Sequence, residues 1–194
     1  DVAIKHYSTA IGFDSTKVLA YVKRGESHFH TEAYKDSLSD FKQAVELEPN
    51  NPLYLDKLAN ANFHLRNFDD AVAAMEKAIA LNPPKVDRFK TSLATMLSNR
   101  AFKYSQEKNY SDAIADLNKA LELDPDSISF HRNRANCYFH SGDHERALAD
   151  FNEAIRRDPT NSSYYQTRGY CLNALGRNEE AEKDFKKAEE LGRK

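Results

Sequence analysis

The sequence predicts an all-α protein, a solenoid of antiparallel helix pairs, on three observations. First, a 34-residue period runs through nearly the whole chain, with units starting at Val18, Pro52, Ala94, Ile128 and Ser162. Second, small residues recur at fixed places of that unit. The eighth is Gly25, Ala59, Ala101, Ala135 or Gly169, the twentieth Ser37, Ala71, Ala113, Ala147 or Ala181, and the twenty-seventh Ala44, Ala78, Ala120, Ala154 or Ala188. Third, the twenty-fourth place is large and apolar (Phe41, Met75, Leu117, Phe151, Phe185), and the thirty-second is Pro49, Pro83, Pro125 or Pro159, with Arg193 in the last unit. Small residues let two helix backbones approach and the large side chain fills the gap between them. Proline ends the second helix because it lacks an N–H and its ring clashes with the preceding turn.

The clearest unit is Ile128–Asn161, two short amphipathic helices with a turn at Gly142. Neither helix could bury its apolar stripe alone, so the unit needs neighbours on both sides. Residues 1–17 read as the second helix of an incomplete leading unit, because Ala3, Tyr7 and Ala10 fall on its twentieth, twenty-fourth and twenty-seventh places. Its face of Ile4, Ile11 and Phe13 lacks a partner helix, which predicts a longer chain upstream. The first full unit is 18–51, with Tyr34, Leu38, Phe41, Val45 and Leu47 as the core of its second helix. The second is 52–85, opened by the cap Asn51 and the helix-starting Pro52. The register then breaks over residues 86–93. Val86, Phe89, Leu93, Met96 and Leu97 keep helical spacing through the break, so these residues should extend the next helix by about two turns, ~12 Å. Units 94–127, 128–161 and 162–194 follow. The last carries Glu182 and Glu189 where its siblings have aliphatic residues, which predicts a water-facing cap.

This pattern resembles the tetratricopeptide repeat family, over nearly all of the chain and five times in succession. The resemblance implies a right-handed superhelix. It also implies that the second, fifth, sixth, ninth, twelfth and thirteenth places of first helices line a concave surface that grips a segment of a partner protein. Those places hold Lys23, Lys57, Asn60, His64, Asn99, Arg132, Asn133, Asn136 and His140, together with Glu26. An Asn amide both donates and accepts, which suits it to holding peptide main chain. Phe29, Phe63 and Phe139 would add apolar anchors. Chaperone-binding members hold a terminal carboxylate with a set of Lys, Asn and Arg side chains. Started at the second unit, that set would be Asp56, Asn60, Asn99, Ser129 and Asn133. Both asparagines are in place and all three cations are missing. Started at the fourth unit, only Arg132 and Asn136 match. The clamp is complete nowhere.

Composition supports a binding frame. The formal net charge of -2 speaks against a nucleic-acid or anionic-membrane partner recruited by bulk charge. No apolar run approaches the ~18 residues of a membrane span. Cys137 and Cys171 hold the same place in adjacent units, where helices lie ~8–10 Å apart, too far for a disulfide. Reduced thiols fit a cytoplasmic or nuclear setting. No phosphate loop, nucleophile elbow, His-Glu-x-x-His or Cys-x-x-Cys occurs, so neither catalysis nor a cofactor is expected. His30, His64 and His140 share the thirteenth place, one helix spacing or more apart, while ligands to one zinc ion must all reach within ~2 Å of it. They read as groove lining. The function this implies is a scaffold or adaptor that binds a peptide or helical segment of a partner. The alternatives are a co-chaperone-type adaptor with a non-standard carboxylate clamp, a regulatory or targeting arm of a larger enzyme, and self-association through helix 1–17.

Overall fold

The computed structural model describes residues 2–193. Among them eleven α-helices follow one another: α1 (Val2–Phe13), α2 (Val18–His30), α3 (Tyr34–Leu47), α4 (Pro52–His64), α5 (Phe68–Ala80), α6 (Val86–Gln106), α7 (Tyr110–Leu123), α8 (Ile128–Ser141), α9 (His144–Arg157), α10 (Ser162–Ala174) and α11 (Asn178–Gly192). They form two compact units, Asp1–Met96 and Leu97–Lys194, whose boundary falls inside α6. In the first unit each helix from α1 to α5 packs on the next, and in the second unit the same holds from α7 to α11.

The hairpins close by one device, repeated five times. The fifteenth place of every repeat is left-handed: Glu32, Arg66 and Lys108 as well as Gly142 and Gly176. The next residue then donates its N–H back to the eleventh place, as in Ala33 to the His28 carbonyl at 2.9 Å and Asn109 to the Tyr104 carbonyl at 2.8 Å. This is the bond that terminates a helix with a left-handed residue and reverses the chain. At the start of α4 the Asn51 side chain accepts from the Leu53 N–H at 3.1 Å, with Pro52 as the first helical residue. Asp143 caps α9 in the same way, accepting from the Arg146 N–H at 3.1 Å.

Of the alanines at the eighth, twentieth and twenty-seventh places, Ala44, Ala59, Ala71, Ala78, Ala113, Ala135, Ala147 and Ala154 are completely buried, while Ala188 in the last repeat is half-buried. The approach is so close at Gly25 that a Cβ there would stand 2.7 Å from the Phe41 ring. Phe41, Met75, Leu117 and Phe151 fill the space between paired helices. One core expectation is corrected: Leu47 is 39% exposed. It is the last residue of α3, at the edge of the packed layer, where the chain turns toward Pro49 and Pro52.

A second, polar device ties the pairs. Arg24 holds Asp40, Arg100 holds Asp116, Arg134 holds Asp150 and Arg168 holds Asp184, each with N–O separations of 2.6 or 2.7 Å. All four carboxylates are buried. They are the seventh and twenty-third places of one repeat, and each guanidinium spans both helices of its pair. Arg134 and Arg168 also donate to Asn118 and Asn152 of the preceding repeat, both at 2.8 Å, and Arg24 donates to Ser8 at 3.1 Å. The 52–85 repeat has Leu58 and Ala74 at those two places instead.

Residues 86–93 lie within α6, which has 21 residues against 13 or 14 in α2, α4, α8 and α10. Phe89 and Leu93 are buried, and Arg88 reaches Asp56 of α4 at 2.6 Å. Glu182 and Glu189 of α11 face solvent. Among the described residues no helix is long and apolar enough to cross a membrane.

Candidate functional site

The first helices of the repeats present their fifth, sixth, ninth and thirteenth places to two separate clefts, one in each compact unit. The cleft of the first unit, about 340 Å³, is lined by Glu26, Phe29 and His30 of α2 and by Asp56, Lys57, Asn60 and His64 of α4. That of the second, about 590 Å³, is lined by Ser98, Asn99, Phe102 and Ser105 of α6 and by Arg132, Asn133, Asn136, Cys137 and His140 of α8. Lys57, Asn60 and His64 therefore share one cleft, and Asn99, Arg132, Asn133, Asn136 and His140 share the other. Lys23 lines neither. It pairs with Glu26 at 2.9 Å on the surface of α2.

The two clefts differ in their electrostatics. In the first, Glu26, Asp56 and Lys57 are each ion-paired. Lys57 reaches Glu26 at 2.7 Å, and Asp56 is held by Arg88. Burial works against the charge on Glu26, and hydrogen bonds from Lys57 and Lys23 outweigh it, so its carboxyl titrates below the ordinary range. The Asn60 amide donates to the Asp56 carbonyl and carboxylate of its own helix, at 2.7 and 2.9 Å. In the second, the Arg132 guanidinium has only the neutral Asn133 side-chain oxygen as acceptor among the described residues, at 3.1 and 3.3 Å. Asn133 in turn donates to the Ser98 hydroxyl at 3.3 Å, joining α8 to α6. The Asn136 side chain makes no hydrogen bond among the described residues. At the cleft floor, burial raises the Cys137 thiol pKa, against a hydrogen bond from Ser105 that lowers it. The thiol is therefore held protonated and unreactive.

The aromatic residues settle into roles that place counting alone did not separate. The expected anchors Phe29, Phe63 and Phe139 each also contact the second helix of their own hairpin, and Phe29 lines the first cleft as well, against His64 at 5.0 Å. Phe29 meets Tyr34 at 5.2 Å, Phe63 meets Phe68 at 5.7 Å and Phe139 meets His144 at 5.5 Å. His64 stacks on Tyr34 of the preceding repeat at 4.6 Å between ring centroids, and His140 stacks on Tyr110 at 5.9 Å, both with rings 18° from parallel. Among the Phe and Tyr side chains of the first helices, the exposed ones are Phe102, 57% accessible, and Tyr170, 49% accessible, the latter resting on Phe185 of α11 at 5.2 Å. Both sit at the ninth place, a signal present in the sequence once that place is taken as wall-facing. Among the described residues no three His, Cys, Asp or Glu side chains are grouped as a metal would need.

Comparison with known proteins agrees with this architecture. Tetratricopeptide repeat models match residues 52–85, 104–162 and 151–183, together more than half of the chain. No curated protein matches it. Among solved structures, one of MamA superposes with a TM-score of 0.68 at 22% identity, covering 90% of this chain and 91% of that one. MamA 41-end from Desulfovibrio magneticus RS-1 gives 0.63 at 19% identity, over 91% of this chain and 96% of that one. YrrB, described as a TPR protein with an unusual peptide-binding site, gives 0.65 at 17% identity, over 95% and 91%. Identities this low carry the fold alone. With the recurring small residues, the closing prolines and the antiparallel pairs already described, the sequence matches are sufficient: the chain belongs to the tetratricopeptide repeat family.

Proposed function

We propose that this chain is a protein-binding scaffold that holds a peptide segment of a partner against the first helices of its repeats. The observation that carries the reading is the second-unit cleft, where Asn99, Arg132, Asn133, Asn136 and His140 of α6 and α8 line one open recess of about 590 Å³. Amide side chains there can bond main chain of either polarity, so they need little from the partner's sequence. The description of YrrB as a peptide-binding TPR protein is in keeping with it. Affinity capture with the intact chain tests the reading, comparing wild type with the double variant Arg132→Gln, Asn136→Ala. Both positions are solvent-accessible, so folding should survive. Partners retained by the wild type and lost by the variant are expected; an identical set from both contradicts the reading.

A second reading, self-association, is favoured by α1, where Val2 and Phe13 are 88% and 85% exposed and no residue is buried. Light scattering over a concentration series should then show mass rising with concentration, and the rise should vanish in Val2→Ser, Phe13→Ser. A constant monomer mass rules it out.

A further inference from the structure

We infer that the second-unit wall takes an extended, acidic segment of a partner, anchored by two apolar side chains roughly six residues apart with a carboxylate between them. This rests on the peptide-binding reading above and goes beyond it in naming the chemistry of the ligand. Charge is the first argument. At the wall-facing places of α6 from Leu97 onward, of α8 and of α10 there is no acidic residue, and Arg132 is the one formal charge. Its guanidinium is hydrogen-bonded only to the neutral Asn133 amide among the described residues, so it keeps its full positive field and its preference for a carboxylate. The first-unit cleft has no such opening, since Lys57 is already matched by Glu26 and Asp56 by Arg88.

The second argument is the spacing of the exposed aromatics. Phe102, Asn136 and Tyr170 hold the same place in α6, α8 and α10. The outer two are large, apolar and half exposed, the composition that dominates peptide recognition energetics. Two helix spacings of about 10 Å separate them, a distance that an extended chain rising ~3.3 Å per residue covers in about six residues. Arg132 and Asn136 lie between. A segment ending in its own terminal carboxylate at Arg132 would leave one aromatic unfilled, so the carboxylate belongs to an Asp or Glu side chain within a continuing chain. Asn136, with its amide uncommitted among the described residues, can bond main chain only if that main chain is not already satisfied in a helix.

The test is a phage-displayed library of random 12-residue peptides selected on the intact chain. The enriched consensus is then synthesised with both termini blocked and titrated by fluorescence anisotropy. Enrichment of Asp or Glu flanked by apolar residues about six apart is expected, with affinity falling as salt rises. Arg132→Gln, Phe102→Ala and Tyr170→Ala should each weaken binding about tenfold, and Lys186→Ala, at an exposed position of the second helix α11, should leave it unchanged. Circular dichroism keeps loss of fold apart from loss of binding. Enriched peptides without an acid, or binding that needs a free C-terminus, overturn the inference and leave the scaffold reading standing. Binding lost in Lys57→Ala but retained in Arg132→Gln moves the peptide to the first unit and does the same. No enrichment at all counts against both.

Discussion

The residues that set the stability of each pair are few, and the buried ion pairs are the most exacting. Asp150 receives two bonds from Arg134 at 2.7 Å and faces the His131 ring nitrogen at 3.0 Å. Removing the carboxylate strands a guanidinium that is largely withdrawn from water. Asp150→Ala should cost on the order of 3 kcal/mol, measured by urea denaturation. The hairpin turns offer the opposite change. Lys108 is held at a φ of 59°, in the left-handed region that a side chain disfavours by roughly 1–2 kcal/mol. The exposed substitution Lys108→Gly relieves that strain at the cost of a more flexible unfolded chain, and should leave a net stabilisation of about 0.5–1 kcal/mol by the same measurement. The thiols should be inert. Burial pushes Cys171 up to about 11, and Cys137 is raised as well. A thiol reagent at neutral pH should therefore label neither in the folded protein within minutes and both after unfolding. Rapid labelling of the native chain would contradict their placement.

At the scale of the element, the pairing of helices was legible because few residue types satisfy it. A backbone crossing needs Gly, Ala or Ser, and a helix end tolerates Pro, so Ala59, Ala101, Ala135 and the prolines mark the frame directly. The polar ladder was not read in the same way, although Arg24, Arg100, Arg134 and Arg168 and their four aspartates recur at that period. A charge is ordinarily read as solvated surface, and only the packed structure shows these carboxylates enclosed. The site was legible in part. Place counting picked out side chains that line the two clefts, but could not tell that Asn60 bonds its own helix or that Phe139 packs against His144 of its hairpin. Those outcomes depend on rotamers and neighbours. Helix α6 supplies a sharp check on packing within an element. Phe89 is 2% exposed, so Phe89→Ala should cost about 3–5 kcal/mol. The exposed Leu53→Ala on α4 should change stability by no more than ~0.5 kcal/mol.

At the scale of the whole molecule, successive helices within each unit pack on their chain neighbours. Stability in such an array is close to a sum of local terms, which leaves the wall-facing side chains free to vary with the partner. Here that variation produces one cleft whose charges are closed on themselves and one that carries an arginine with a neutral neighbour. Under the proposed function, recognition falls on the first helices of the second unit. The measurement that tests this most directly is site-specific photo-crosslinking to a captured partner, with the reactive group introduced in turn at Phe102, at Tyr170 and, on the second-helix face, at Glu122 and Lys186. Cross-links from the first two positions and none from the last two are predicted; cross-links from Glu122 or Lys186 alone would contradict the account.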